Sequence, residues 1–274
     1  MIIAGPGLSA TEKIALKGGS SKTYKLPVSG KLPDDKRSSF RAEVKLDNGA
    51  VFASIGEFDF ACAVKADTPP AIDGTWKGWG KAETIEFGKP GQIEPQGDVG
   101  EKYTGKRDIY GKLKMLWDDN FLYLGVEALD DVFLPNPQRG TNGFMGDSLE
   151  FGVQPDNIIR INAPKYEFEL YSPDGKYVAS RRFPLPGGGV SHWKACVKKT
   201  GTRGNVVYQV AIPWQDIGVS KVYPGSKFSL SVVLNDKDNP EGKFSGKRTL
   251  IHWFEGVNSA KNPEKYGDVV LVKN

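Results

Sequence analysis

The sequence predicts an all-β protein, an antiparallel β-sandwich preceded by a small β-rich segment, and three observations carry that prediction. The 274 residues include 33 Gly and 18 Pro with 14 Phe, 10 Tyr and 6 Trp, a composition of many short strands and turns. Lys112 to Phe133 (KLKMLWDDNFLYLGVEALDDVF) has hairpin grammar: Leu113, Met115 and Trp117 alternate with Lys112 and Lys114, and Phe121, Tyr123, Gly125 and Glu127 alternate with Leu122, Leu124 and Val126. Asp118-Asp119-Asn120 suits the turn between them. The best helical candidate, around Pro213-Trp214-Gln215-Asp216-Ile217, is too short to form a layer.

In chain order, residues 1–66 offer strands at Glu12 to Leu16, Thr23 to Val28, Phe40 to Leu46 and Phe58 to Lys65, with a turn at Asp47-Asn48-Gly49 and a basic loop at Lys31 to Arg37. In the last strand Phe58, Phe60, Cys62 and Val64 face one way. About 60 residues of sandwich are marginal alone, so this segment is expected to pack on the larger domain or to have lost upstream strands. Adjacent prolines in Ala66-Asp67-Thr68-Pro69-Pro70 set the boundary to a second domain, residues 67–274. There, Phe87 to Arg107 is rich in Gly, Pro, Glu and Lys and reads as surface loop. After the hairpin come strands near Tyr166 to Tyr171 and Val178 to Phe183, a loop at Pro184 to Gly189, and a strand at Trp193 to Lys198.

The 37 basic and 33 acidic residues are spread along the chain and leave a formal charge of +4, without the basic stripe of a nucleic-acid binder. Acidic polysaccharide stays open as a partner. No stretch approaches the roughly 18 apolar residues of a membrane span, and MIIAGPGLSATEK has no basic-then-apolar leader. Cys62 and Cys196 stand in apolar strands; each is a buried free thiol or the two form one disulfide, and without CxxC spacing they do not suggest zinc.

Pro69-Pro70-Ala71-Ile72-Asp73-Gly74 followed by Trp79 opens a series of motifs that continues through the hairpin. Gly146-Asp147-Ser148-Leu149-Glu150-Phe151, Val210-Ala211-Ile212-Pro213-Trp214, Leu234-Asn235-Asp236 and Trp253 follow. Asn262-Pro263-Glu264-Lys265-Tyr266-Gly267-Asp268 and a closing Val269-Val270-Leu271-Val272 strand end it. In order and spacing, over roughly residues 66 to 274, the series resembles family 9 carbohydrate-binding modules. The resemblance implies a DOMON-like sandwich that serves as an accessory module on secreted polysaccharide-degrading enzymes. Its partners would be a polysaccharide or oligosaccharide and a catalytic domain of the same parent chain, and the missing leader suggests a piece of a longer secreted or cell-surface protein. Residues 1–66 resemble the trailing part of an immunoglobulin-like linker domain.

Sugar-binding modules stack the C–H-rich face of a pyranose on a flat aromatic ring while polar side chains bond its hydroxyls. The resemblance implies a terminal sugar clamped between two tryptophans. Residue by residue, the first falls on Phe144 and the second on Ala260, which supplies no wall. Glu150 matches the family glutamate, whereas a glutamine becomes Val233, an asparagine becomes Val257 and an arginine aligns near Glu169. Each unmade polar contact forfeits roughly 1 kcal/mol. The expectation is therefore a different glycan reached through another face, with Phe144, Trp76, Tyr171, Tyr177, Trp193 or Phe254 as platforms, or a structural spacer without sugar affinity. Trp79, Trp117 and Trp214 are expected in the core, whereas Trp76 lies in a glycine-flanked turn that permits exposure. Glu150 also has a plainer role, as a strand carboxylate held by a nearby lysine or arginine.

Asp130-Asp131, Asp147, and Asp236 and Asp238 within Asn235 to Asn239 offer hard oxygen ligands at strand ends, and the larger family uses calcium to fasten such loops. Solvated turn residues would read the same way. Enzyme signals are weak. No GxSxG, P-loop or HExxH occurs, no carboxylate pair stands out for glycoside hydrolysis, and His192 and His252 sit beside tryptophans as structural histidines do. A haem-binding relative would need Met115, Met145 or one of those histidines as axial ligand. The sequence thus points to a non-catalytic glycan-binding module with calcium as a structural aid, ahead of a spacer and of a hydrolase in its own right.

Overall fold

Side-chain alternation along strands, not any helical face, organises this chain. The computed structural model describes residues 2–5, 8–15, 29–30, 38–58, 60–96, 103–140, 142–155, 166–184, 187–201, 203–239, 248–257 and 261–273. They fall into two units, Met1–Phe60 and Ala61–Asn274.

The first unit is a five-stranded antiparallel sheet of β1 (Ile2–Gly5), β2 (Leu8–Thr11), β3 (Ser29–Gly30), β4 (Ser38–Lys45) and β5 (Val51–Phe58), in the order β3-β2-β1-β4-β5. The β4–β5 hairpin turns at Asp47-Asn48-Gly49 as expected: Gly49 has φ 84°, and Asn48 Oδ1 accepts from Ala50 N at 3.0 Å. Glu12–Ala15 are not in a strand, because the β1–β2 register ends at Ile2↔Thr11 and gives them no partner in that pair. The strand expected at Thr23 to Val28 and the basic loop at Lys31 to Arg37 lie outside the described residues.

The second unit holds β6 (Phe60–Lys65), β7 (Ile85–Phe87), β8 (Ile93–Gln96), β9 (Ile109–Trp117), β10 (Phe121–Asp130), β11 (Ser148–Gln154) and β12 (Tyr166–Tyr171). It continues with β13 (Val178–Phe183), β14 (Gly188–Gly189), β15 (Lys194–Lys199), β16 (Val206–Pro213), β17 (Lys227–Asp236), β18 (Arg248–Trp253) and β19 (Gly267–Val272). One hydrogen-bonded path, β14-β13-β12-β11-β17-β19-β6-β9-β10-β16-β15, curls into a sandwich. Strand β17 forks: Lys227 to Leu230 pair with β19, and Val232 to Asp236 pair with β18. The β6–β9 pairing is parallel.

The β9–β10 hairpin sets the inner face. Its register runs from Leu122↔Trp117 to Asp130↔Ile109, so Leu113, Met115, Trp117, Leu122, Leu124 and Val126 enter the core while Lys112, Lys114 and Glu127 point out. Leu149, Phe151, Phe168, Val232 and Leu234 meet them from the other half. Burying each such side chain stabilises by about 1.5–3 kcal/mol. Asp118 closes the turn, its Oδ1 accepting from Asn120 N and Phe121 N at 2.8 Å and its Oδ2 from the Tyr123 hydroxyl at 2.6 Å. Trp79, Trp117 and Trp214 are buried, and each indole N–H donates to a backbone carbonyl, Ala71 O, Val272 O and Asp118 O respectively.

Two sequence expectations need correction. Phe58 and Phe60 fall in different strands, and in β6 it is Ala61 and Ala63 that face the main core, with Val64 packed in a smaller cluster on the opposite side. The Phe87 to Arg107 insert contains a true strand, β8, paired with β18 from Ile93↔Ile251 to Gln96↔Arg248. A four-residue strand with a proline, held on one side only, shows no alternation from which to read it. Of the two readings of Cys62 and Cys196, the free thiol holds and the disulfide does not; both are half-buried, and burial pushes both pKa values up.

Candidate functional site

Phe144 lies on a short 3-10 turn, Gly143–Met145, that leads into β11. Gly143 lets the turn approach closely, since a Cβ there would stand 2.4 Å from the Tyr171 ring. Its N–H donates to Glu169 Oε2 at 3.1 Å. Beside the turn, one row crosses the outer face of the sheet: Ser180, Glu169, Glu150, Val233 and His252 are successive register partners on β13, β12, β11, β17 and β18. Directly paired residues share a face, so this row is the floor against which Phe144 stands.

Arg182, which sequence reasoning missed, completes the arrangement. Its guanidinium lies 4.4 Å from the centre of the Phe144 ring, and its Nη1 is 3.1 Å from Glu150 Oε2 and 3.9 Å from Glu169 Oε2. Glu150 Oε1 also accepts from Asn235 Nδ2 at 2.9 Å. A guanidinium thus stands beside Glu169, carried by Arg182 on the neighbouring strand β13. Glu169 is buried, and burial raises its pKa to about 7 against the lowering effects of the Ser180 hydroxyl and Arg182. Val233 and Val257, where the resemblance implies polar partners, pack with Leu250 and Tyr266 in a small apolar cluster. Ala260, the missing second wall, lies outside the described residues.

The other aromatic candidates separate cleanly. Trp193 is 2% exposed, its ring 4.6 Å from that of Phe168 and its N–H on Asp216, which makes it a core residue and not a platform. Tyr171 is likewise buried, with its hydroxyl on Gln138 O. Phe254 is half-buried at φ 55° with its edge against Trp253, and Tyr177 is exposed. Trp76 is half-buried on the outer face of the other half of the sheet. Tyr171 stands against the turn that carries Phe144, at Gly143, whereas Trp76 lies on the other half of the sheet.

The acidic residues do converge. Asp130, Asp147 and Asp236 bring carboxylate oxygens within 4.8 Å of one another, as do Asp108, Asp236 and Asp238, and Asp130, Asp131 and Asp238. Strand ends place them: Asp108 precedes β9, Asp130 ends β10, Asp147 precedes β11 and Asp236 ends β17. Asp108 was missed, although it directly precedes the Ile109↔Asp130 pair of the predicted hairpin. Backbone N–H groups fix part of the cluster: Lys237 N donates to Asp147 Oδ1 at 2.8 Å and Val132 N to Asp130 Oδ1 at 2.7 Å. Gly204 packs so closely that a Cβ would stand 2.8 Å from Asp130 Oδ1. Burial, then the Asp147 charge, raises the Asp130 pKa to about 9, and the same causes push Asp236 well above the usual carboxylate range. Asp236 Oδ1 is buried with no hydrogen-bond partner among the described residues. Hard carboxylate oxygens in that number, one of them unsatisfied, fit a calcium ion.

Comparison with known proteins places this sandwich. The model of the carbohydrate family 9 binding domain-like family matches residues 72–274. The chain belongs to carbohydrate-binding module family 9. It is thus a non-catalytic carbohydrate-binding module. It is 25% identical over 202 residues to endo-1,4-β-xylanase A of Thermotoga maritima, covering 69% of this chain and 18% of that protein. It is 26% identical over 161 residues to exoglucanase XynX of Acetivibrio thermocellus, covering 58% of this chain and 13% of that protein. The module therefore spans less than a fifth of the length of these relatives. Among solved structures, a family 9 module from Caldicellulosiruptor kristjanssonii in complex with cellotriose superposes with TM-score 0.56 at 17% identity, over 78% of this chain and 94% of that one. The complex of such a module with glucose gives TM-score 0.51 at 19% identity, over 78% and 97%. These structural likenesses show the sandwich fold of this module.

Proposed function

We propose that this family 9 module binds polysaccharide through the surface built by Phe144, Arg182 and Glu150, as an accessory part of a longer secreted carbohydrate-active protein. One observation supports it above the rest: the Arg182 guanidinium stands 4.4 Å from the centre of the Phe144 ring and pairs with Glu150, which Asn235 in turn holds. Such a group presents fixed hydroxyl-bonding donors over an apolar ring. The endo-xylanase and exoglucanase names of its relatives support a plant-polysaccharide ligand and a catalytic domain in the same parent chain. No helix among the described residues is long and apolar enough to cross a membrane.

Calcium is part of the same proposal. Asp108, Asp130, Asp147, Asp236 and Asp238 would hold it, and it would neutralise charges that otherwise force Asp130 and Asp236 to keep protons. By tying the ends of β10, β11 and β17 it would fix the loop that carries Phe144 to the head of β11.

A second reading, a spacer without sugar affinity, is favoured by the apolar packing of Val233 and Val257 and by the cover that Arg182 gives Phe144. Affinity electrophoresis through soluble plant polysaccharides decides between them. Retardation that Arg182→Ala and Phe144→Ala both diminish is the expected result; no retardation of the folded protein by any polymer would establish the spacer.

A further inference from the structure

The turn that carries Trp76 is fastened to the sheet more firmly than a surface loop needs. Gln209, at the centre of β16, accepts from Asp73 N at 3.1 Å and Gly74 N at 2.8 Å and donates to Thr75 O at 2.6 Å. Asp73 in turn accepts from the Thr75 N–H at 2.8 Å and its hydroxyl at 2.7 Å. Gly125, mid-strand in β10, makes room: a Cβ there would stand 2.8 Å from Trp76 Cζ3 and 3.0 Å from Trp79 Cη2. Trp76 meets Trp79 edge to face at 5.6 Å. The indole is thereby held rigidly on the outer face of the sheet, where it walls a cavity of about 310 Å³ shared with Thr84, Glu86, Lys112, Lys114 and Glu127. Lys114, which also lines the cavity, holds its Nζ over the indole ring, 5.4 Å from the centroid, so a ligand stacking there takes the lysine's place.

We propose that this cavity is a second sugar-binding site, taking neutral pyranose units of a polysaccharide, a deepening that presupposes the polysaccharide binding proposed above. An indole face accepts the C–H face of a pyranose, and the lysines, glutamates and threonine around it give donors and acceptors for the hydroxyl edge. Lys112 and Glu127 are paired at 3.3 Å and Glu86 accepts from the Tyr110 hydroxyl at 2.9 Å, so these groups are already oriented. Two lysines against two glutamates leave no net charge to select a uronate or a sulfated chain. The volume is that of a small ligand site, about 300 Å³ at the lower end. Phe144 stands by β11, β12 and β13, whereas this cavity spans β7, β9 and β10. Two separate contacts on one module raise avidity for a polymer without any gain in either site.

Affinity electrophoresis of the full chain tests this, with hydroxyethyl cellulose, mixed-linkage β-glucan, xylan and galactomannan in the gel and polygalacturonate as the charged control. Wild type, Trp76→Ala, Lys112→Met and Phe144→Ala are compared, each with its thermal melt. A neutral polymer is expected to retard the wild type, with Trp76→Ala and Lys112→Met each weakening the interaction roughly tenfold and Phe144→Ala leaving part of it. Unchanged retardation in both cavity variants overturns the second site while leaving polysaccharide binding intact. Retardation by polygalacturonate alone overturns the neutral-sugar assignment, and retardation of the wild type by no polymer overturns both. If Trp76→Ala does not fold, Lys112→Met decides alone, since its side chain is 34% exposed and outside the core.

Discussion

Chelating calcium with EDTA should lower the melting temperature of the sandwich by roughly 5–10 °C, and the drop should grow with pH. Asp130, Asp147 and Asp236 place carboxylate oxygens within 4.8 Å of one another. Two unit charges at about 4 Å repel by about 4 kcal/mol at an effective dielectric near 20, so the ion-free cluster folds with protons retained. With calcium at about a hundredfold its dissociation constant, binding to the folded state alone contributes about 2.7 kcal/mol. A domain of about 150–250 residues shifts about 2–4 °C per kcal/mol, which gives the range. The pH trend follows from Asp130, whose folded pKa is raised to about 9, whereas the unfolded chain ionises it near about 4. Between those values the folded, ion-free state binds more protons than the unfolded one, so its stability falls as pH rises. Calcium requires the ionised ligands, so its stabilising effect increases over the same window. Differential scanning calorimetry with calcium or EDTA at about pH 5 and about pH 8 measures both slopes. A melt at pH 8 indifferent to EDTA, or a calcium effect that shrinks from pH 5 to pH 8, would refute the metal assignment. Asp236→Asn, which removes one ligand charge, should blunt the response to EDTA.

Two further outcomes test the fold and the Phe144 site. Asp118→Ala removes the acceptor of two turn N–H groups and of the buried Tyr123 hydroxyl; urea denaturation should show a loss of about 2–3 kcal/mol, and a loss under about half a kcal/mol would mean that the hairpin turn does not depend on it. Glu169, with its folded pKa raised to about 7, favours the protonated folded state, so its stabilising effect is present at acid pH and is lost as pH rises from about 4 towards 7. Glu169→Gln should flatten the stability profile across that window, and a profile with unchanged slope would show that Glu169 titrates normally.

Much of this molecule could be read from its residues. Alternation through Leu113, Met115 and Trp117 predicts the inward face of β9 because one periodicity governs both pattern and burial. Asp130, Asp147, Asp236 and Asp238 were legible as strand-end carboxylates, yet their convergence depends on β10, β11 and β17 ending at the same end of the sandwich, which no local pattern encodes. Trp193 was offered as a platform from its aromatic character alone; it directly precedes β15 and lies in the core against Phe168. Arg182 was hidden for a different reason. The bulge between Glu167 and Phe168 shifts the β12–β13 register, so its reach to Glu150, two strands away, cannot be counted from sequence spacing.

The distribution of these differences explains how a family fold persists at 17% identity to a structural neighbour. Leu149, Phe151, Val232 and Leu234 point into the core, and the residues between them, Glu150 and Val233, point out. Inner positions are constrained by packing volume. The positions between them lie outside that core, and there Val233 packs in its own small apolar cluster with Leu250, Val257 and Tyr266. On this outer side the Arg182 guanidinium, carried by β13, lies against Phe144. The main core and the row that carries Glu150 thus sit on opposite faces of the same strands, and a change in one face leaves the other in register.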